Sequence, residues 1–247
     1  MNKISFLSAS LFFAFLVIPI TLTFGEELKP ITLLKPQLDI GRPLMKVLND
    51  RSSSRSFSAE KLPVHVLSNV LWAAFGVNRP GEANRTAPSA RNWQEIDIYV
   101  AMAEGLYLYD AKNHVLNPIL VKDLRALAGK QDFVKDAPVN LIYVADFSKM
   151  VNASEEDKKL YSAADTGFIS QNVYLFCASE GLATVVRGSI DREALAKAMK
   201  LRADQKIILA QTIGYPKKIS KRSGSHNAPS PPLSLRGGWG ALLKSMF

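Results

Sequence analysis

Residues 51–57 read RSSSRSF, a run with two arginines, four serines, one aromatic residue and no acidic residue. The planar guanidinium group of arginine matches the geometry of phosphate oxygens, and it is always charged. Serine hydroxyls can satisfy the remaining lone pairs of such an anion. This run, called the Arg51 segment below, therefore has the composition of a phosphate-binding site. A solvated turn has the same composition, so other parts of the chain must decide between the two interpretations.

Other kinds of chemistry lack their usual motifs. The sequence contains no GxGxxG after a strand and no GxxxxGK[ST], HExxH, CxxC or GxSxG, which disfavours doubly wound dinucleotide binding, P-loop hydrolysis, zinc proteolysis and esterase chemistry. The three histidines, His65, His114 and His226, share no spacing typical of metal ligands. The only cysteine, Cys177, lies in an apolar run and is expected to be a buried structural thiol.

The net charge of +9 is concentrated in one part of the chain. Six basic residues and no acidic residue follow Pro216, and without these six and Lys3 the chain has 24 basic and 22 acidic residues. This distribution argues against a nucleic-acid-binding body. Residues 217–247 are rich in Pro, Gly and Ser, so we expect a flexible basic tail.

The first 25 residues have the pattern of a secretory signal peptide, with Lys3 before an apolar run and small or hydroxylated residues before Glu26. We expect cleavage after Gly25 and an exported, periplasmic protein. The alternative is an uncleaved membrane anchor, which Pro19 and several Ser and Thr residues disfavour, so no stable anchor is expected. A lipid anchor would need a cysteine at the end of the signal, and none is there.

Residues 26–216 have the length and composition of one globular domain. Hydrophobic periodicity and capping residues predict five helices and five strands that do not alternate regularly, which indicates an α+β fold. The helices are predicted in RPLMKVLND, LPVHVLSNVLWAAF, KDLRALAGK, residues 155–181 and DREALAKAM with Asp191 as its N-cap; the strands are predicted in IDIYVAM, GLYLYD, the segment after His114, APVNLIYVADF and KIILAQTIG, with residues 78–93 as a loop.

Four segments in a fixed order resemble the FMN-dependent nitroreductase family: RSSSRSF (51–57), APSARNWQ (87–94), GFISQNVYLFCASEGLATVVRGSID (167–191) and ILAQTIGYP (208–216). They are similar to the family's Arg-x-Ser-x-Arg-x-Phe start, its Pro-Ser-x-x-Asn loop, its Gln-Asn helix leading to Gly-Leu, and its terminal Gly-Tyr-Pro. The resemblance covers roughly residues 40–216 and implies a layered fold with a central, mostly antiparallel sheet flanked by helices. EGLYLYDAKNHVL further resembles the branch that includes thiazole- and oxazole-forming peptide oxidases.

The resemblance implies bound FMN and a set of cofactor-binding residues. The FMN phosphate and ribityl chain would be held by Arg51, Ser52, Ser53 and Arg55. Asn92 corresponds to an asparagine that hydrogen-bonds the isoalloxazine edge, and VVRGS corresponds to a turn whose backbone approaches flavin N5 at Arg187, Gly188 and Ser189. Arg187 departs from the family, which commonly has an apolar residue there, and is interpreted as a surface charge or a substrate contact.

The resemblance also implies a function in which the flavin carries the chemistry, with no catalytic side chain and no metal. We expect an exported oxidoreductase that passes a hydride through flavin N5 from a small-molecule donor to a nitroaromatic, quinone or similar acceptor, and a homodimer with a flavin at each subunit boundary. Two alternatives remain open. One is an azoline-type peptide oxidase, which the absence of any Lys-Tyr dipeptide disfavours; the other is a non-catalytic flavin-binding protein.

Overall fold

The computed structural model describes residues 27–217, which belong to one compact unit. The strands in this part of the chain are β1 (Ile31–Thr32), β2 (Val77–Arg79), β3 (Asn84–Arg85), β4 (Ile96–Ala101), β5 (Leu106–Asp110), β6 (Val115–Leu120), β7 (Val139–Asp146), β8 (Ala183–Arg187) and β9 (Gln205–Gly214). Seven of them form a sheet in the order β1-β6-β5-β4-β7-β9-β8, and each neighbouring pair is antiparallel. Strands β2 and β3 form a separate antiparallel pair.

Helices cover both faces of the large sheet. They are α1 (Leu44–Asp50), α2 (Val64–Phe75), α3 (Phe133–Asp136), α4 (Glu155–Glu180) and α5 (Arg192–Met199). One core cluster joins the sheet to α2 and α4, and a second joins the opposite face to α5 and to residues 124–134. The predicted α+β class, with a central antiparallel sheet flanked by helices, is confirmed.

Strand β7 is an interior strand of the sheet, and its sequence can be buried on both faces. All eight of its residues are buried, and β4 and β9 flank it. Leu141 and Tyr143 point to the face covered by α2 and α4, whereas Ile142 and Val144 point to the face covered by α5. The alternation follows from the two-residue period of a strand.

Helix α4 is the longest element, and its ends are set by local chemistry. The hydroxyl of Ser154 accepts a hydrogen bond from the Asp157 N–H, and three acidic residues occupy the first turn, where they complement the helix dipole. At the other end Gly181 adopts a left-handed conformation (φ 70°), and its N–H donates to the carbonyl of Cys177. The predicted helix is confirmed, as is the burial of Cys177, which raises the pKa of its thiol well above the ordinary value.

Most of the other predicted elements are also present. The first residues of α2 and α5 show how a local signal in the sequence sets the start of a helix. Pro63 lies directly before α2, where its fixed φ and missing N–H cost nothing. The carboxylate of Asp191 accepts a hydrogen bond from the Ala194 N–H and so caps α5 as predicted.

Three predictions about local structure were wrong. KDLRALAGK forms a 3-10 turn at Arg125–Leu127 rather than a helix, because the Asp123 carboxylate accepts from the Arg125 N–H and pairs with its guanidinium. The predicted loop at 78–93 contains most of the β2–β3 pair. The VVRGS segment is not simply a turn, since five residues up to Arg187 form strand β8 at the sheet edge.

Two predicted segments fall outside the part of the chain that the structure describes: the signal peptide (1–25) and the basic tail after Lys217. Among the described residues, no helix combines the length and apolar character needed to span a membrane.

Candidate functional site

The Arg51 segment is held in place by the edge of the sheet. The N–H of Ser54 donates to the carbonyl of Thr184 in β8 at 2.9 Å, and the N–H of Lys217, beyond β9, donates to the carbonyl of Ser56 at 3.2 Å. The side chain of Phe57 is buried against the aromatic ring of Phe133. The aromatic residue of the motif therefore anchors the segment, while the polar residues before it stay near the surface.

Tyr174 of α4 joins this segment to β8. Its hydroxyl lies 2.8 Å from Ser53 Oγ and accepts a hydrogen bond from the Val186 N–H at 2.9 Å. The guanidinium of Arg51 lies over the Tyr174 ring, 5.3 Å from its centroid. The tyrosine thus positions both an arginine and a serine of the predicted phosphate site, and neither the sequence pattern nor the motif indicated this role.

The donors of the Arg51 segment are available to an anion. Ser52, Ser53 and Arg55 are exposed, and Arg51 is half-buried. Within residues 27–217, neither arginine of the segment takes part in an ion pair. Two uncompensated guanidinium groups and two hydroxyls within three or four residues of one another fit the donor set that a phosphate monoester requires.

A cleft of about 200 Å³ adjoins the segment. Its polar lining includes Ser52, Tyr174 and Thr184. Asp50 also lines it, but its carboxylate accepts from Arg42 Nη2 at 2.5 Å and from Asn49 Nδ2 at 2.8 Å. These partners, Asn49 first, lower the pKa of Asp50, so its charge is compensated and does not prevent an anion from binding nearby.

The turn after β8 places Gly188 and Ser189 at the surface. The Ser189 carbonyl accepts from the Lys130 N–H at 3.1 Å, which fixes the turn. A Cβ atom at Gly188 would meet only a side-chain carbon of Leu209 at 3.7 Å, an ordinary contact. Nothing within the described chain demands glycine at this position, so a steric demand would have to come from a ligand or another subunit.

The interpretation of Arg187 as a surface charge or substrate contact was wrong. Its side chain is 4% exposed and lies on the opposite face of β8 from Val186. Nη1 donates to the carbonyl of Ala128 at 2.5 Å, and Nη2 donates to Oδ1 of Asn140 at 2.7 Å. Burial lowers the pKa of Arg187 to about 10. Only its backbone remains available to the predicted cofactor site.

Gly129 makes room for this buried guanidinium. A Cβ atom on Gly129 would lie 1.9 Å from Nη1 of Arg187, which is too close for any side chain. Arg187 has no carboxylate partner within the described residues, and its Nε has no hydrogen-bond partner there. The arginine is thus a structural cation that ties β8 to residues 128–140.

The 89–94 loop has an unusual backbone. Arg91, Asn92 and Gln94 have φ angles of 49°, 55° and 48°, in the left-handed region that residues other than glycine rarely adopt. The side-chain amide of Gln94 donates to Oδ1 of Asn92 at 2.8 Å, and within residues 27–217 the amide nitrogen of the exposed Asn92 has no hydrogen-bond partner. Concentrated backbone strain of this kind is typical of ligand-binding loops.

Two buried carboxyl groups hold this loop, and no motif in the sequence indicated either of them. Ser89 Oγ donates to Glu95 at 3.3 Å, and the Ala90 N–H donates to Asp165 of α4 at 2.9 Å. Both carboxyl groups are almost inaccessible to solvent.

The Arg51 segment and the 89–94 loop contact different sides of α4. The segment meets the helix at Tyr174, whereas the loop meets it at Asp165. These positions are nine residues apart, which is about 14 Å along the axis and two and a half turns. Within one chain, the Arg51 segment and the loop that carries Asn92 therefore attach to α4 about two and a half turns apart.

Three comparisons with known proteins agree on the family. A model of the nitroreductase family matches residues 48–215. A provisionally named nitroreductase from Methanocaldococcus jannaschii is 31% identical over 169 residues, covering 64% of this chain and 85% of that protein.

Solved structures give the same fold. A provisionally named nitroreductase from Ralstonia eutropha JMP134 is 44% identical with a TM-score of 0.76, and the match covers 79% of this chain and 93% of that chain. The NADPH:FMN oxidoreductase from Vibrio harveyi, solved with NAD+, shares the fold at 18% identity and a TM-score of 0.54, over 77% of this chain and 79% of that chain. The chain therefore belongs to the nitroreductase family.

Proposed function

We propose that this protein is an FMN-dependent oxidoreductase that transfers electrons from a small-molecule donor to a nitroaromatic, quinone or similar acceptor. The observation that carries the proposal is the Arg51 segment, whose uncompensated arginines and hydroxyls are fixed by Tyr174 and β8 in a chain of the nitroreductase family. When bound, FMN supplies hydride transfer at its N5 atom. The named FMN oxidoreductase among the fold neighbours supports this choice of cofactor by analogy only.

In this proposal the Arg51 segment holds the phosphate and ribityl chain. Arg51 and Arg55 supply charge and paired donors, while Ser52 and Ser53 supply hydroxyl donors. Because the Tyr174 hydroxyl already receives the Val186 N–H, it can donate to Ser53 Oγ and leave the serine proton free for a phosphate oxygen. Lys217 follows β9 beside Ser56, so its side chain is a further weak candidate for the anion.

The ring end of FMN would be held by Asn92 and by the turn at Gly188 and Ser189. The free amide nitrogen of Asn92 can donate to a ring carbonyl. The exposed backbone at Gly188 can approach a ring without interference from a side chain.

We further propose a homodimer in which the 89–94 loop of one subunit completes the site formed by the Arg51 segment of the other. The contacts of these two groups with α4 lie on opposite sides of the helix and about 14 Å apart along its axis, and this separation supports the arrangement. Exposed apolar side chains on α1 and α4 offer a contact surface: Leu44 (61% exposed), Met45 (77%), Leu48 (44%), Leu160 (63%) and Phe168 (48%). Two-fold pairing is the commonest closed assembly.

Export to the periplasm, with removal of residues 1–25, stays part of the proposal and rests on the sequence pattern. The resemblance of β5, β6 and the turn between them to the peptide-oxidase branch also stays part of the proposal, and it also rests on the sequence pattern. Outside the basic tail the charge of the chain is nearly balanced, and this balance favours small-molecule partners over nucleic acid.

The proposal is tested by absorption spectroscopy of the purified protein lacking residues 1–25. After incubation with FMN and removal of the free cofactor, the protein should keep a flavin spectrum, and anaerobic addition of NADH, NADPH or another reduced donor should bleach it. A folded protein that stays colourless would refute the proposal. Bound flavin that no donor reduces would favour the non-catalytic alternative.

A further inference from the structure

Two carboxyl groups meet in the interior beneath the 89–94 loop. Glu95 is fully buried and Asp165 is 2% exposed. Both carboxyl groups hold adjacent residues of the loop, since Glu95 accepts a hydrogen bond from Ser89 Oγ and Asp165 accepts one from the Ala90 N–H. Within residues 27–217, the buried Oε1 of Glu95 has no hydrogen-bond partner.

In the part of the chain that the structure describes, no cation compensates this pair. Within residues 27–217 neither Glu95 nor Asp165 takes part in an ion pair. The charged groups on the surrounding elements have partners elsewhere: Lys149 with Asp97, Asp146 with Arg202, Lys158 with Glu155, Arg85 with the Gln94 side chain, and Arg91 with the Trp93 ring. Two ionised carboxylates without a cation in a buried site are strongly disfavoured.

We infer that Glu95 carries a proton at neutral pH, and that this proton fixes the 89–94 loop in its left-handed conformation. With Glu95 protonated, its hydroxyl can donate to an oxygen of Asp165, so the site does not hold two ionised carboxylates. The consequence for the cofactor rests on the proposed function, because the loop carries Asn92.

The contacts of the loop show how the proton would act. Glu95 accepts from Ser89 Oγ at 3.3 Å, and Asp165 accepts from the Ala90 N–H at 2.9 Å. Ser89 Oγ in turn accepts from the Gln94 N–H at 2.8 Å, which closes the loop. If Glu95 also ionised, repulsion would separate two carboxylates that hold adjacent residues of the loop. Glu95 and Asp165 are positioning residues in this account, since they act through the loop.

The titration has a defined sign. Burial, together with the negative charge of Asp165, raises the pKa of Glu95 from 4.5 to about 7. Because the folded protein binds this proton more tightly than the unfolded chain, the stabilisation is fully present below about pH 4.5 and is lost as the pH rises through about 7.

The test uses the flavin-free protein and three variants. Glu95→Gln mimics the protonated side chain at every pH, Asp165→Asn removes the neighbouring charge, and Glu156→Gln alters an exposed carboxylate on the same helix. Urea unfolding midpoints are measured between about pH 5 and 8.5, and isotope-edited infrared spectra follow the protonated carboxyl band of Glu95.

The wild-type protein and Glu156→Gln should lose stability across this range as the infrared band disappears. Glu95→Gln should lack that step, and Asp165→Asn should move it to lower pH. A step of wild-type size in Glu95→Gln, or a Glu95 that is already ionised at pH 5, would overturn the inference.

A second measurement separates this inference from the proposed function. FMN affinity of the wild type should fall several-fold over the same pH range, and that of Glu95→Gln should not. If the flavin-free protein shows the step but no protein binds FMN, the proposed function fails and the inference about the Glu95 proton is supported. If the protein binds FMN but shows no step, the inference about the Glu95 proton fails and the proposed function is supported.

Discussion

The hydroxyl of Tyr174 lies 2.8 Å from Ser53 Oγ, although the two residues are 121 positions apart in the chain. Through this contact and its hydrogen bond from Val186, the longest helix fixes the Arg51 segment against the sheet edge. The proposed phosphate site therefore depends on a helix residue that does not belong to the arginine-serine motif.

Replacing Tyr174 by Phe should weaken FMN binding about 5- to 10-fold, because it removes the partner of Ser53 and leaves the half-buried Val186 N–H without an acceptor. Fluorescence titration with FMN measures the change. Tyr161→Phe is the matched control, since it alters a tyrosine of the same helix that packs edge-on against Trp93. Equal losses in both variants would count against the positioning role of Tyr174.

Replacing Gly129 by Ala should destabilise the protein by about 2–4 kcal/mol, because the new Cβ atom occupies the position of the Arg187 guanidinium and leaves a buried cation without its acceptors. Urea denaturation measures the loss. Gly81→Ala, where no atom lies within 4 Å of the new Cβ, should change stability by no more than about 0.5 kcal/mol. Wild-type stability in Gly129→Ala would mean that Arg187 can be accommodated elsewhere.

These residues also show which parts of the structure were predictable. Helices α2, α4 and α5 followed from apolar periodicity and from end signals such as Pro63 and Asp191, because the forces that form them act within a few residues. Strand β7 followed from the short apolar run LIYVA, whose length and β-branched and aromatic residues are typical of a buried strand.

The residue roles that the sequence did not reveal depend on partners that are distant in the chain. Arg187 resembled a surface residue because its acceptors, Ala128 and Asn140, are contributed by other segments of the fold. Glu95 and Asp165 each look like an ordinary acidic residue, and only the packing of the 89–94 loop on α4 brings them together. The roles of Ser53 and Arg55 could be proposed from a motif, but the role of Tyr174 required the tertiary structure.

Replacing Met45 by Glu should convert the proposed dimer to a monomer at micromolar concentration and weaken FMN binding at the same time. Met45 is 77% exposed on α1, and a charge there would have to be buried in the contact surface. Sedimentation velocity with and without FMN measures both effects. Val151→Glu, at an exposed apolar residue just before α4, should remain dimeric. A wild-type protein that sediments as a monomer with flavin bound would contradict the shared site.

The most direct test of the account compares FMN with riboflavin, which lacks the phosphate, by isothermal titration calorimetry of the wild type, Arg55→Ala and Arg236→Ala. The wild type should bind FMN at least about 100-fold more tightly than riboflavin, since the Arg51 segment supplies two charge-assisted contacts. Arg55→Ala should lose about tenfold of that preference, and Arg236→Ala, in the basic tail, should keep it. Equal affinities of the wild type for FMN and riboflavin, or equal losses in the two variants, would contradict the assignment of the Arg51 segment as the phosphate site.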